Sequence, residues 1–113
     1  MTLADFEFLT TKNNNPIWYK DADCRYPLIC PKGTKVKFLD VFIRFFAETW
    51  FEVEYNGETY YIDPEYCDGN VIVKTKTESN FNFEICRIVT RVFLTDRYGK
   101  QYVMNENGEI NPL

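Results

Sequence analysis

Apolar and polar residues alternate along much of the chain. Phe51 and Val53, for example, alternate with Glu52 and Glu54. A period of two residues is typical of strands that bury one face. Gly, Pro, Asn and Asp recur at short intervals between these stretches, so the sequence predicts a mostly β fold of many short strands.

Asn56 and Gly57 give the clearest turn signal. A two-residue type I′ turn requires positive φ at both positions, and Asn-Gly adopts it at low cost. This pair therefore joins predicted strands 50–55 and 58–62 into a hairpin. The first fifteen residues predict a short strand or one helical turn, followed by a loop.

The C-terminal part predicts a β-meander. Its strands are expected at residues 70–76, 81–94, 101–104 and 109–110, and the second of these is long enough to need a bulge or bend near residues 86–88, where the alternation slips by one.

Length and composition favour a single domain. The chain has 113 residues and a net charge of -4. We divide it into an N-terminal segment (1–15), a core (16–67) and a β extension (68–113). No apolar run is long enough to span a membrane, and the start lacks the basic and apolar regions of a signal peptide. The expected location is the cytoplasm of a bacterium, or of a host cell if the gene is viral.

The absence of histidine limits the catalytic and metal-binding chemistry that the chain can perform. Histidine is the commonest general base near neutral pH and a frequent metal ligand, and the chain has none. Ser79, the only serine, lacks the small neighbours of a nucleophile elbow. A carboxylate-dependent enzyme remains the weakest hypothesis, and we expect a protein that is not an enzyme and has no cofactor.

The four cysteines do not match a metal site. Cys24, Cys30, Cys67 and Cys86 have none of the short spacings of zinc or iron–sulfur motifs. We expect buried or half-buried thiols in a reducing compartment, and a disulfide between Cys24 and Cys30 is the main alternative.

Three segments in order resemble the bacterial SH3-like (SH3b) domains. Residues 31–36 (PKGTKV) resemble the Lys-Gly-Thr-x-Val start of that family's second strand. Residues 50–57 (WFEVEYNG) are similar to its Trp-x-x-Val-x-Tyr-x-Gly strand and distal hairpin, and residues 61–66 (YIDPEY) to its closing segment with one 3₁₀ turn. The resemblance covers residues 16–67 and implies an SH3-like small barrel, which the C-terminal meander extends.

The SH3-like register implies a core and a binding surface. The core positions would be Val36, Phe38, Phe51, Val53, Tyr55 and Ile62. Trp50 would lie at the surface on which such barrels bind ligands, in a peptide-binding group completed by Tyr19, Tyr26, Pro64 and Tyr66. Glu52 and Glu54 nearby would favour a basic partner. The alternative is that Trp50 and Tyr66 only close the end of the barrel.

Residues 41–46 form an apolar run that starts at Val41 and ends at Phe46. We expect the C-terminal strands to cover this run through the apolar side chains of Phe81, Phe83, Ile85, Val92 and Leu94. A homodimer interface through residues 41–46 is the alternative.

Two functions follow from these patterns. The first is a non-enzymatic module that binds a protein or peptide through the aromatic surface around Trp50. The alternative is a small acidic inhibitor, of phage or mobile-element origin, that blocks a basic site on a host defence or nucleic-acid-processing enzyme. We do not expect direct binding of nucleic acid, because Lys32, Lys35 and Lys37 are the nearest approach to a basic stripe.

Overall fold

The structure, a computed structural model, describes residues 1–12, 17–21, 25, 27–44 and 48–113. Within these ranges the chain forms eleven strands and two 3₁₀ turns. The strands are β1 (Phe8–Thr11), β2 (Ile17–Tyr19), β3 (Pro27–Ile29), β4 (Lys35–Arg44), β5 (Glu48–Tyr55), β6 (Glu58–Ile62), β7 (Cys67–Asp68), β8 (Ile72–Asn82), β9 (Arg87–Asp96), β10 (Gln101–Met104) and β11 (Ile110–Pro112). The 3₁₀ turns are Leu3–Phe6 and Pro64–Tyr66.

The strands form two antiparallel sheets, which confirms the mostly β prediction. One has the order β3-β2-β6-β5-β4-β1-β7, and the other has the order β11-β10-β9-β8. The chain divides into two compact units: residues 7–69, here the β1–β7 unit, and residues 1–6 with 70–113, here the β8–β11 unit. In the described ranges no helix has both the length and the apolar character needed to cross a membrane.

The core of the β1–β7 unit lies mainly on one face of β4, β5 and β6. The predicted core residues Val36, Phe51, Val53 and Ile62 are buried. The prediction for Phe38 holds in part, because it is half-buried and its ring contacts Phe51 with centroids 5.1 Å apart.

Tyr55 is not part of this core, since 38% of it is exposed. It is the last residue of β5 before the turn, where the strand leaves the packed region. The turn itself is confirmed: Asn56 and Gly57 have φ values of 51° and 78°. At the N-terminus, both a 3₁₀ turn and a short strand form.

The prediction of one strand over residues 81–94 is wrong, although the bulge or bend predicted near residues 86–88 lies close to the actual turn. Two strands form instead, because the chain reverses between Asn82 and Arg87 and β8 pairs with β9 along ten positions. Asn82 Oδ1 accepts a hydrogen bond from the backbone N–H of Glu84 at 2.9 Å, and Cys86 adopts a φ of 51°. An Asx turn and one left-handed residue thus replace the glycine or proline that would have revealed the reversal. The meander of β8, β9, β10 and β11 is confirmed.

The β8–β11 unit has a small core near the base of the β8–β9 hairpin. Phe6, Leu94, Tyr102 and Ile110 are its buried members, and the Phe6 and Tyr102 rings meet edge to face at 5.3 Å. Met1 joins this unit through its backbone carbonyl, which accepts from the N–H of Ile110 at 2.7 Å.

The apolar side chains nearer the hairpin turn were expected to be buried, and they are not. Phe81, Phe83 and Ile85 are 50%, 84% and 50% exposed, whereas Val92 is half-buried and Leu94 is buried. The hairpin extends beyond its core, so these three side chains have little to pack on.

Residues 41–46 do not form one buried run. Val41 lies opposite Phe51 and Phe42 lies opposite Trp50, so the two side chains point to different faces of the sheet. Ile43 is 65% exposed, which contradicts the expected burial. Phe45 and Phe46 lie outside the described residues, and the homodimer interface stays a prediction.

Candidate aromatic and acidic face

Strand register places a set of aromatic and acidic residues on one face of the β1–β7 unit. Trp50, Glu52 and Glu54 alternate with the buried positions of β5, so they share the face opposite the core. Their direct cross-strand partners share that face too. On β4, Phe42 lies opposite Trp50, Asp40 lies opposite Glu52 and Lys37 lies opposite Glu54. On β6, Tyr61 lies opposite Glu52 and Thr59 lies opposite Glu54.

A fourth aromatic residue joins from β2. Tyr19 lies opposite Tyr61, which extends the set across four neighbouring strands. We call this set the outer face: the aromatic residues Tyr19, Phe42, Trp50 and Tyr61 with the acidic residues Asp40, Glu52 and Glu54.

The aromatic rings of the outer face contact one another in two pairs. Tyr19 and Trp50 meet edge to face, with ring centroids 5.3 Å apart and planes at 87°. Phe42 and Tyr61 meet at 5.5 Å and 60°. Edge-to-face packing of this kind adds to the gain from burial, so the two pairs fix the orientation of the rings.

The four aromatic side chains of the outer face are half-buried. Each therefore keeps surface that a ligand can cover. Trp50 Nε1 is fully shielded from solvent and has no hydrogen-bond partner among the described residues. A shielded donor without an acceptor is costly, by about 1–3 kcal/mol.

The charge of the outer face is mainly negative. Asp40 and Glu52 are direct cross-strand partners, and Glu54 follows on the same face, opposite Lys37. The pKa of Tyr61 is raised, most strongly by burial and further by the negative charges of Glu52 and Asp21. Negative charge is therefore felt at the aromatic residues of the outer face. A cationic group placed here would be attracted to these carboxylates.

The other predicted site residues are placed less directly. Pro64 and Tyr66 form the 3₁₀ turn after β6, which Asp63 caps by accepting the N–H of Glu65 at 2.9 Å. This turn contacts β5, and Tyr66 is 36% exposed. The structure describes no ring contact between either residue and Trp50. Tyr26 lies outside the described residues.

Sequence reasoning missed Phe42 and Tyr61. Grouping Phe42 with Trp50 requires the pairing register of β4 with β5, and a bulge between Phe38 and Asp40 shifts that register. The shift places Phe42, rather than a neighbour, opposite Trp50. A bulge of this kind has no reliable sequence signature, so the sequence alone gave no reason to group Phe42 with Trp50.

The cysteines lie apart from the outer face. Cys30 and Cys67 are buried, as expected, whereas Cys86 is exposed. Burial raises the pKa of the Cys30 thiol, despite hydrogen bonds that act in the opposite direction. Cys24, the other half of the possible disulfide, lies outside the described residues. Among the residues described, no three Cys, Asp or Glu side chains cluster to suit a metal ion.

Comparisons with protein-family models, with curated proteins and with solved structures gave no match to this chain.

Proposed function

We propose that the chain is a non-enzymatic binding protein that takes a cationic, extended peptide segment on its outer face. The observation that carries this proposal is the edge-to-face contact of Tyr19 with Trp50 at 5.3 Å on a half-buried sheet face. Glu52, the direct partner of Tyr61, brings negative charge to the same place.

The aromatic rings of the outer face are suited to peptide binding. Aromatic side chains offer large contact areas and have few rotatable bonds, so binding to them costs little conformational entropy. The two ring pairs orient Trp50 and Tyr61 before a ligand arrives.

The acidic residues determine which peptides are favoured. Lys and Arg side chains would be drawn towards Asp40, Glu52 and Glu54, and Arg would also stack on the aromatic faces. Charge complementarity of this kind speeds association and selects partners, while the aromatic contacts supply most of the affinity. A peptide with alternating basic and apolar or proline residues meets both requirements.

We further infer that residues 16–67 belong to an SH3-like barrel. The order of elements supports this: a β2–β3 hairpin, a three-stranded β4–β5–β6 meander with a tight distal turn, and one 3₁₀ turn. The short strand β7 then returns to pair with β1. In this arrangement Trp50 stands near the start of β5, and the 3₁₀ turn with Pro64 and Tyr66 contacts the same strand.

The alternative proposal, an acidic inhibitor of a basic enzyme site, rests on the adjacent carboxylates of Asp40 and Glu52. Binding by such an inhibitor would differ from peptide binding on the outer face in its dependence on salt and on Trp50. Binding through charge alone would weaken steeply with salt and would not need the indole ring.

A panel of synthetic ten-residue peptides tests the proposal. The panel contains basic proline-rich sequences, the same sequences with Lys and Arg replaced by Glu, and scrambled versions. Binding is followed by amide chemical-shift changes in ¹⁵N-labelled protein. We expect basic peptides to shift the amides of Tyr19, Trp50 and Tyr61 in particular, and the acidic versions to shift none. Shifts confined to the β8–β11 unit would contradict the proposal.

The matched control is a second exposed aromatic residue in the other unit. Tyr98 is 70% exposed and lies outside the outer face. Trp50→Ala is expected to abolish the shifts, and Tyr98→Ala to leave them unchanged. Retention of binding in Trp50→Ala together with release by moderate salt would favour the inhibitor alternative.

A further inference from the structure

β8 is a long strand with one unpaired edge. It spans Ile72–Asn82 and lies at the end of its sheet, where it pairs with β9 and with no other described strand. Residues 74–77 and 79–81 are exposed. Unpaired edges of this length are uncommon in isolated proteins, because their free N–H and C=O groups can pair with another chain.

We propose that a second copy of this chain pairs with β8 in antiparallel fashion, about a two-fold axis at Thr77. The resulting eight-stranded sheet would be continuous across the two copies. A two-fold interface uses the same surface on both copies, so the β8 sequence must be complementary to itself read backwards. β8 meets this condition.

The complementarity lies in the charges. With Thr77 on the axis, Lys76 of each copy lies directly opposite Glu78 of the other. Between residues 74 and 80 the other opposite pairs are Thr75 with Ser79 and Lys74 with Asn80, which contain no like charges. Within one chain Lys76 Nζ already lies 3.1 Å from Glu78 Oε1, so the dimer would join two such pairs into a ring of alternating charges.

The other nearby registers are less favourable. Opposite side chains in a sheet must point to the same face, so the axis must pass through a residue rather than between two residues. A centre on Lys76 brings Lys74 opposite Glu78 but sets the two copies of Lys76 against each other, and a centre on Glu78 sets the two copies of Glu78 against each other with no opposite charges paired. A centre on Thr75 sets Lys74 against Lys76. A centre on Ser79 brings no opposite charges together. The charge pattern therefore selects Thr77.

Two further features support the pairing. Lysines on an exposed edge normally discourage strand addition, but here Glu78 supplies the opposite charge. A bulge between Ile72 and Lys74 precedes the regular part of the strand, so all the residues that make the complementary pairs lie in regular strand. The interface lies in the β8–β11 unit, so this inference does not depend on the proposed function of the outer face.

Sedimentation velocity over a range of protein concentrations tests the proposal. We expect a concentration-dependent dimer. Glu78→Lys or Lys76→Glu turns two attractive pairs into two repulsive ones, and each should weaken the dimer roughly tenfold or more. The double variant K76E/E78K restores both pairs with reversed sign and should dimerise like the wild type. Recovery in the double variant also excludes misfolding as the cause of the loss.

The register is tested separately by cross-linking. Directly opposite residues in an antiparallel pair have Cα atoms about 4.5–5.5 Å apart, which suits a disulfide. In a background with Cys86→Asn, since Asn tolerates the positive φ at this position, Thr77→Cys should form covalent dimers on mild oxidation. Thr75→Cys should not, because its partner is Ser79. A monomer at all concentrations, dimers insensitive to both charge reversals, or equal cross-linking of the two cysteine variants would overturn the proposal.

Discussion

The hydroxyl of Tyr102 donates a hydrogen bond to Asp96 Oδ2 at 2.9 Å in the interior of the β8–β11 unit. The same carboxylate accepts from Asn70 Nδ2 at 2.8 Å and from the backbone N–H groups of Tyr98 and Lys100. Asp96 is only 3% exposed. One buried carboxylate thus fixes both the turn that follows β9 and the segment that precedes β8.

Replacement of the Asp96 carboxylate should lower the free energy of unfolding substantially. Asp96→Ala removes the acceptor for four donors and leaves Asn70 and Tyr102 unpaired in the interior, so we expect a loss of about 3 kcal/mol in the free energy of unfolding. Urea denaturation measures this loss. Asp68 is an exposed aspartate, and Asp68→Ala should change the free energy by less than about 0.5 kcal/mol. Equal effects of the two variants would contradict the role assigned to Asp96.

Asp96 should also give stability a specific pH dependence. Burial by itself would raise the pKa of Asp96, but the hydrogen bonds from Asn70, Tyr102 and the backbone outweigh it and lower the pKa below the ordinary value of 3.8. The folded state therefore favours the charged form more than the unfolded state does. Its stabilisation is complete above the unfolded pKa and is lost as the pH falls towards the folded pKa.

Urea midpoints for the wild type and Asp96→Asn, taken from neutral pH down to about pH 2.5, test this sign. We expect the advantage of the wild type to be constant above about pH 4.5 and to shrink below it. An advantage that grows on acidification, or that does not change with pH, would refute the assignment.

Two glycines should differ in how well they tolerate a side chain. Gly69 has a φ of 110°, and a Cβ there would lie 2.9 Å from the backbone oxygen of Phe8. Gly57 has a φ of 78°, but a Cβ there would meet no atom within 4 Å. We expect Gly57→Ala to cost about 1 kcal/mol from backbone strain alone. Gly69→Ala adds a clash with backbone and should cost about 3 kcal/mol. Thermal denaturation of the two variants side by side checks the order.

Sequence patterns located the hairpins whose turns have distinctive residues. Asn56 and Gly57 marked one turn correctly, because the positive φ at both positions restricts the choice of residue. The turn between Asn82 and Arg87 was missed because its left-handed position is occupied by Cys86, a residue without turn preference. The available signal is Asn82, but asparagine is also common in loops and at strand ends that form no such reversal.

The candidate site was predicted in part for a similar reason. Alternation along β5 correctly assigned Trp50 to one face of the sheet and Phe51 and Val53 to the opposite, buried face. Cross-strand neighbours depend on register, and a bulge in β4 sets the register. Tyr19 was grouped with Trp50 by resemblance and does contact it, whereas Phe42 joined the outer face only once the pairing was known.

The aromatic residues that the sequence did not reveal should contribute to binding. Phe42 and Tyr61 form the second ring pair of the outer face. We expect Phe42→Ala and Tyr61→Ala each to weaken binding of a basic panel peptide by about tenfold, since truncating an interface aromatic commonly costs more than 1 kcal/mol. Isothermal titration calorimetry measures the change. Phe83→Ala, which truncates a residue 84% exposed in the other unit, is the control and should have no effect.

Peptide affinity and thermal stability of Trp50→Ala together decide whether Trp50 serves a ligand or the fold. We expect the best basic peptide of the panel to lose at least about 30-fold in affinity, as is usual for a central aromatic anchor. The melting temperature should fall by only a few degrees, because the indole is half-buried and lies outside the core. Unchanged affinity in Trp50→Ala, or a collapse of the fold without Trp50, would show that this residue serves the structure of the β1–β7 unit and not a ligand.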